Sequence, residues 1–148
     1  MNTEPIRIYV CYEPDQRLCA DPLNSWPVTN ADLNAYDRRV QTPLNSAEAE
    51  PIKAALAQQI EAADVTICII GPETHASEWI AWELAVSKEG SHRNGLVGIV
   101  LHEYDRHPDA MVDSGAIFVR FKRDLVERAV RWAVEEPHTS DDFTLQDE

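Results

Sequence analysis

Val65-Thr66-Ile67-Cys68-Ile69-Ile70-Gly71-Pro72-Glu73-Thr74-His75-Ala76-Ser77-Glu78-Trp79-Ile80-Ala81-Trp82-Glu83-Leu84 reads as a buried strand, a turn and a helix. Val65 to Ile70 is a short apolar run rich in β-branched residues and closed by Gly71-Pro72, the composition of a central parallel strand. After the turn, Thr74 or Ser77 can accept a hydrogen bond from the first free helical N–H groups. Ile80, Leu84 and Ser87-Lys88 then recur at helical spacing. Trp79 and Glu83, four apart, share a face of that helix. In open α/β sheets ligands bind beyond the carboxyl ends of the strands, where the segment after such a strand lies, so Glu83 is aimed at the end of the sheet.

Upstream, Pro51 suits a first helical position, and Ile52, Ala55, Leu56 and Ile60 make an amphipathic helix that ends before Asp64. Ile6 to Tyr12 alternates and is β-rich, so it is the first strand, followed by the polar loop Glu13-Pro14-Asp15 and a short helical segment to Trp26. Leu33 to Tyr36 is a weaker second strand. Asp37 to Ser46 has no period and carries Pro43, Asn45 and Ser46, the mark of a long loop. Downstream, Gly95 marks the stop of the Trp79 helix, and Leu96 to Leu101 and Ile117 to Phe121 are further strands. The closing helix carries Val126, Ala129, Val130 and Ala133 at three- and four-residue steps, with Trp132 on its flank. Strand and helix alternate five times without an internal repeat. The expected fold is α/β, a three-layer sandwich around a mainly parallel five-stranded sheet.

Length and charge bound the function. A chain of 148 residues, 44% hydrophobic and 26% charged, is one globular domain, here residues 1–136. Residues 137–148 hold Asp141, Asp142, Asp147 and Glu148 with no Lys or Arg and read as an acidic, solvated tail. A net charge of −13, with no long run among the 13 basic residues, argues against direct nucleic-acid binding. No stretch approaches the roughly 20 apolar residues of a membrane span, and the N-terminus lacks a basic n-region, so the expected compartment is the cytoplasm. Cys11, Cys19 and Cys68 lack metal-ligand spacing, and Cys11 and Cys68 fall in predicted strands as reduced, buried thiols.

Several chemistries drop out. The turn after the first strand, Tyr12-Glu13-Pro14-Asp15, is no dinucleotide-binding glycine triplet, and no phosphate-loop Gly-Lys-Ser/Thr occurs. His75, His92, His102, His107 and His138 are scattered without the paired helical spacing of a zinc site, so no metal is expected. No Gly-x-Ser-x-Gly elbow exists, and Cys68 has no electropositive setting for nucleophilic work. Glu83 is the acid that remains. By residue type alone, a helical glutamate is more often solvated surface than catalyst, and Trp79 and Trp82 are more often packing than a ligand platform.

Val65 to Gly71 followed by Thr74-His75-Ala76-Ser77-Glu78-Trp79-Ile80-Ala81-Trp82-Glu83-Leu84 resembles the region of Toll/interleukin-1 receptor (TIR) domains in which a Trp-x-x-x-Glu element carries the catalytic acid. Tyr36-Asp37-Arg38 through Pro43-Leu44-Asn45-Ser46, followed by Ile52, resembles more specifically the TIR-like ThsB type of the Thoeris antiphage system. The pattern spans Ile6 to about Val134, and Leu96 to Leu101 is similar to the family's next strand. The resemblance implies a flavodoxin-like sheet. In active members it also implies cleavage of the nicotinamide–ribose bond of NAD, yielding ADP-ribose or a cyclic ADP-ribose isomer. Glu83 then corresponds to the catalytic glutamate and Tyr12 to an aromatic near the nucleotide. Asp37 to Ser46 corresponds to the loop that closes over ligand and mediates assembly. Asp37, Arg38, Asn45, Ser46, Trp79 and Trp82 are thereby the candidate substrate-binding residues. The usual Ser/Thr-bearing turn after the first strand is here Cys11-Tyr12-Glu13-Pro14, a departure from the family pattern.

The implied partners are NAD as substrate, with no separate cofactor, further copies of the chain through TIR-like surfaces, and an effector protein reached through a nucleotide signal. One carboxylate suffices for this chemistry. An ordinary glycoside needs a second acid to protonate its leaving oxygen, whereas nicotinamide departs neutral from an already cationic N-glycoside. Two competing expectations stand beside an NAD nucleosidase or ADP-ribosyl cyclase. One is a non-catalytic TIR assembly module, and the other is a nucleoside N-glycosidic enzyme such as a deoxyribosyltransferase or nucleoside hydrolase, since one sheet hosts unrelated functions.

Overall fold

In the computed structural model, the described residues are 6–13, 26, 27, 29, 42–89, 94–102, 105–112, 114–135 and 143–144. The elements are β1 (Ile8–Cys11), α1 (Ala49–Glu61), β2 (Val65–Ile70), α2 (Glu78–Glu89), β3 (Gly95–Val100), β4 (Ile117–Arg120), α3 (Arg123–Glu135) and β5 (Phe143–Thr144). The five strands form one parallel sheet in the order β1-β2-β3-β4-β5. Parallel neighbours must be joined by crossovers, and the helices that supply them cover both faces of the sheet. This is an α/β sandwich of the flavodoxin-like kind. Its central strands are therefore largely apolar, and all six residues of β2 are buried.

Register sorts the side chains into two faces. Tyr9 pairs with Thr66 and Thr66 with Leu96; Cys11 pairs with Cys68, Cys68 with Gly98, and Gly98 with Phe118. These residues look toward α2, which Tyr9 and Thr66 both touch. The alternate residues, among them Val65, Ile67, Gly95, Val97 and Ile117, look toward α3. That helix buries Leu125, Val126, Ala129, Val130 and Ala133. Each large aliphatic of that stripe contributes about 1.5–3 kcal/mol on burial. α1 buries Ala49, Ile52, Leu56 and Ile60 and packs against α2.

Two glycines are fixed by close approach. A Cβ on Gly95 would stand 2.5 Å from the carbonyl oxygen of Ala133, so Gly95 opens β3 beneath α3. It does not end the preceding helix, which stops at Glu89. On the other face a Cβ on Gly98 would stand 2.6 Å from the Phe118 ring.

Two further expectations shift. Pro51 is the third residue of α1, which starts at Ala49; there its missing N–H is still one that the helix would leave unbonded. The fifth strand is Phe143–Thr144, inside the segment expected to be a solvated tail, where it pairs with Ile117 and Phe118. The outer edge of β4 offers unpaired backbone groups, and a β-prone pair satisfies them. The expected strand Leu33 to Tyr36 and most of the helical segment ahead of Trp26 lie outside the described residues. Pro27 and Thr29 flank β1 on the side away from β2: Ile8 donates its N–H to Pro27 O (3.0 Å), and Thr29 N–H donates to Ile8 O (2.8 Å).

Candidate functional site

The turn from β2 into α2 is built by two hydroxyls. Thr74 Oγ1 accepts the Gly71 N–H at 2.8 Å and donates to Ile69 O at 3.3 Å, folding the chain back at the strand's carboxyl end. Ser77 Oγ accepts the Ile80 N–H at 3.2 Å and caps α2, so of the two candidate caps, Thr74 and Ser77, it is Ser77 that serves. The helix then turns Trp79, Ile80, Glu83, Leu84 and Ser87 inward.

Glu83 is fully buried. Its Oε2 accepts the phenolic O–H of Tyr9 at 2.5 Å, the short length typical of a hydroxyl donating to a carboxylate. Tyr9 is fully buried as well, in the middle of β1. The acid therefore lies under α2 against the inner face of the sheet rather than standing open at its crest, because β1 presents a hydroxyl within its reach. One turn further on, the Ser87 hydroxyl donates to Glu83 O at 2.9 Å. Its only proton is thus spent, so Thr66 is the donor in the 2.8 Å contact between the Thr66 and Ser87 hydroxyls. Asn94 Nδ2 completes this buried chain by donating to Thr66 Oγ1 (3.1 Å) and Ile60 O (2.9 Å).

The tryptophans divide their tasks. Trp79 is 8% exposed and donates its indole N–H to Thr42 O at 2.8 Å, tying the loop ahead of α1 to the acid-bearing helix. Trp82 is half-buried and meets Trp79 edge to face, with centroids 5.9 Å apart and planes at 82°. In the loop, Ser46 Oγ donates to Pro43 O at 2.6 Å and closes its own turn, while Asn45 is exposed. Tyr12, just past β1, is 5% exposed and belongs to the core. Asp37 and Arg38 lie outside the described residues. The structure thus unites Glu83, Trp79 and Trp82 on α2 and links them through Thr42 to the loop of Asn45 and Ser46.

Tyr9 is the residue that sequence reasoning missed. Its signal was a phenol inside an otherwise apolar strand, since a buried tyrosine hydroxyl needs a partner. Among the described residues no group of three or more His, Cys, Asp or Glu side chains could hold a metal ion, and no helix is long and apolar enough to cross a membrane. No curated protein matches the chain. A family model does: residues 9–106 match the Thoeris protein ThsB, TIR-like domain, a span that runs from Tyr9 through the whole of α2 and β3. The chain belongs to the TIR-like domain family of the Thoeris protein ThsB, and with it to Thoeris antiphage defence.

Proposed function

We propose that the protein cleaves the nicotinamide–ribose bond of NAD, releasing nicotinamide and leaving ADP-ribose or a cyclic isomer that signals to a separate effector. The observation that carries this reading is the enclosed carboxylate of Glu83, held by Tyr9 at 2.5 Å on a helix that lies within the span matching the family, with the Trp79-x-x-x-Glu83 spacing that resembles the family's catalytic element. Cleavage leaves positive charge at the anomeric carbon. A fixed carboxylate in a water-poor site stabilises that charge by a few kcal/mol, roughly 100- to 1000-fold in rate. Trp79 has its indole N–H engaged and its ring covered, so Trp82 is the aromatic able to stack on the cationic pyridinium, for about 0.5–2 kcal/mol. Substrate reaches Glu83 when the cover over it opens, and the Trp79 bond to Thr42 makes the adjoining loop the segment to move. Asp37, Arg38, Asn45 and Ser46, together with Tyr12, are proposed to meet the ligand.

The test is nicotinamide release from NAD by the purified protein and by Glu83→Gln, at low and high protein concentration, with nucleotide products resolved by mass. Release that needs Glu83 supports the enzyme, and product mass separates hydrolysis from cyclisation. A second reading, an assembly module, treats Glu83 as a structural residue enclosed between α2 and the sheet. Under it a folded Glu83→Gln protein keeps wild-type self-association and signalling, and neither form releases nicotinamide.

A further inference from the structure

We infer that Tyr9 is the positioning residue of this site: its phenol fixes the plane and location of the Glu83 carboxylate. The inference rests on the NAD-cleaving reading above and adds to it a residue on a different element, 74 positions away in sequence.

Three observations carry it. Both partners are fully buried, so the 2.5 Å bond is shielded from competing water. The donor stands on a rigid mount: β1 is paired to β2 along its length on one side and bonded to Pro27 and Thr29 on the other. The acceptor's backbone is fixed independently, by the Ser77 cap ahead of it and by the Ser87–Thr66–Asn94 chain behind it. A glutamate has three side-chain torsions between backbone and carboxylate. With the backbone held, the phenol removes the freedom that remains, which is the preorganisation that electrostatic stabilisation of a developing cation requires. A phenylalanine would fill the core equally well, so the hydroxyl is the part of Tyr9 that packing does not explain.

The experiment compares wild type, Tyr9→Phe, Glu83→Gln and the double variant in steady-state NAD cleavage, each confirmed folded by circular dichroism. The expected result is a fall in kcat of about 10- to 100-fold for Tyr9→Phe, with KM within about twofold of wild type, and no further loss when Tyr9→Phe is added to Glu83→Gln. A role in packing alone would lower the melting temperature without this split. Wild-type protein gives a second measurement should Tyr9→Phe not fold. With ring-labelled tyrosine, the exchange-protected Tyr9 hydroxyl proton should stay hydrogen-bonded in NMR spectra after a non-cleavable NAD analogue is added. Its loss on binding overturns the assignment. An active wild type with unchanged kcat in Tyr9→Phe overturns the Tyr9 assignment alone, whereas a wild type inactive at every protein concentration overturns it together with the NAD reading.

Discussion

Replacing Gly98 by alanine tests the packing that holds the inner face of the sheet. The added Cβ would lie 2.6 Å from Phe118 Cδ1, 2.9 Å from Cε1 and 3.0 Å from Ile70 Cδ1, so the ring must retreat by roughly 1 Å to reach ordinary contact. Retreat is resisted, because the His107 ring stacks on Phe118 at 3.9 Å between centroids and 15° between planes. Phe118 is itself nearly fully buried. Overpacking of this kind costs about 1–3 kcal/mol. For a chain of this size each kcal/mol lowers the melting temperature by roughly 2–4 °C, so a fall of about 6 °C is the central expectation. Thermal unfolding followed by circular dichroism reads it. The mechanism makes a sharper demand through Phe118→Leu, which withdraws the obstructing ring edge. In that background Gly98→Ala should lose most of its cost, a non-additivity of about 1 kcal/mol or more. Strict additivity, or a melting temperature unchanged by Gly98→Ala, would refute the steric account.

Gly95→Ala should be at least as costly and not rescued by Ala133→Gly, because the nearest obstacle is the backbone oxygen of Ala133, which no substitution removes; the same melts decide it. Ser77→Ala should lower stability by about 1 kcal/mol through loss of the cap on α2, checked by denaturant titration. Trp79→Phe keeps an aromatic ring but removes the indole bond to Thr42 O, and should increase proteolysis of the loop around residue 42 under conditions where the rest of the chain is uncut. Trp82→Ala should raise KM for NAD with little loss of kcat if its ring binds the pyridinium in ground state and transition state alike, and steady-state kinetics separate the two.

What could be read from the chain depended on how local the deciding interaction is. The β-branched run Val65 to Ile70 and the Ser77 cap announce β2 and the start of α2, because a strand's composition and a cap's hydroxyl act within a few residues. The apolar faces of α1 and α3 were legible for the same reason, through Ile52, Leu56 and Ile60 in one and Val126, Ala129, Val130 and Ala133 in the other. The role of Gly95 was misassigned because its constraint comes from Ala133, which reaches it only after α3 docks. β5 escaped notice since two residues carry no period, and their pairing depends on a free edge supplied by β4. Glu83 was singled out by the spacing of Trp79-x-x-x-Glu83, but its phenolic partner could not be: Tyr9 meets it only once parallel pairing sets β1 beside β2. The indole bond from Trp79 to Thr42, across 37 positions, is of the same kind.

The placement of Glu83 bears on whether this fold works as an enzyme or as a scaffold. The chain has 26 acidic residues, enough to set its charge from the surface alone. One of them is nonetheless taken wholly out of water. Burying a carboxylate costs several kcal/mol before its partners offset any of it, and apolar replacements of buried ionic groups are often neutral or stabilising. The surrounding core makes no demand for an acid, since Ile80 and Leu84 on the same helix face are held by apolar contact. A pure assembly module would be served as well by leucine at position 83 and phenylalanine at position 9. Departures from local packing rules concentrate at functional sites, where stability is given up for chemistry. The buried phenol–carboxylate pair is such a departure, and it lies within the span that matches the family. The assembly reading must find a separate reason for that cost, whereas the proposed NAD cleavage gives it a use: a carboxylate held there would face the cation that forms as nicotinamide leaves.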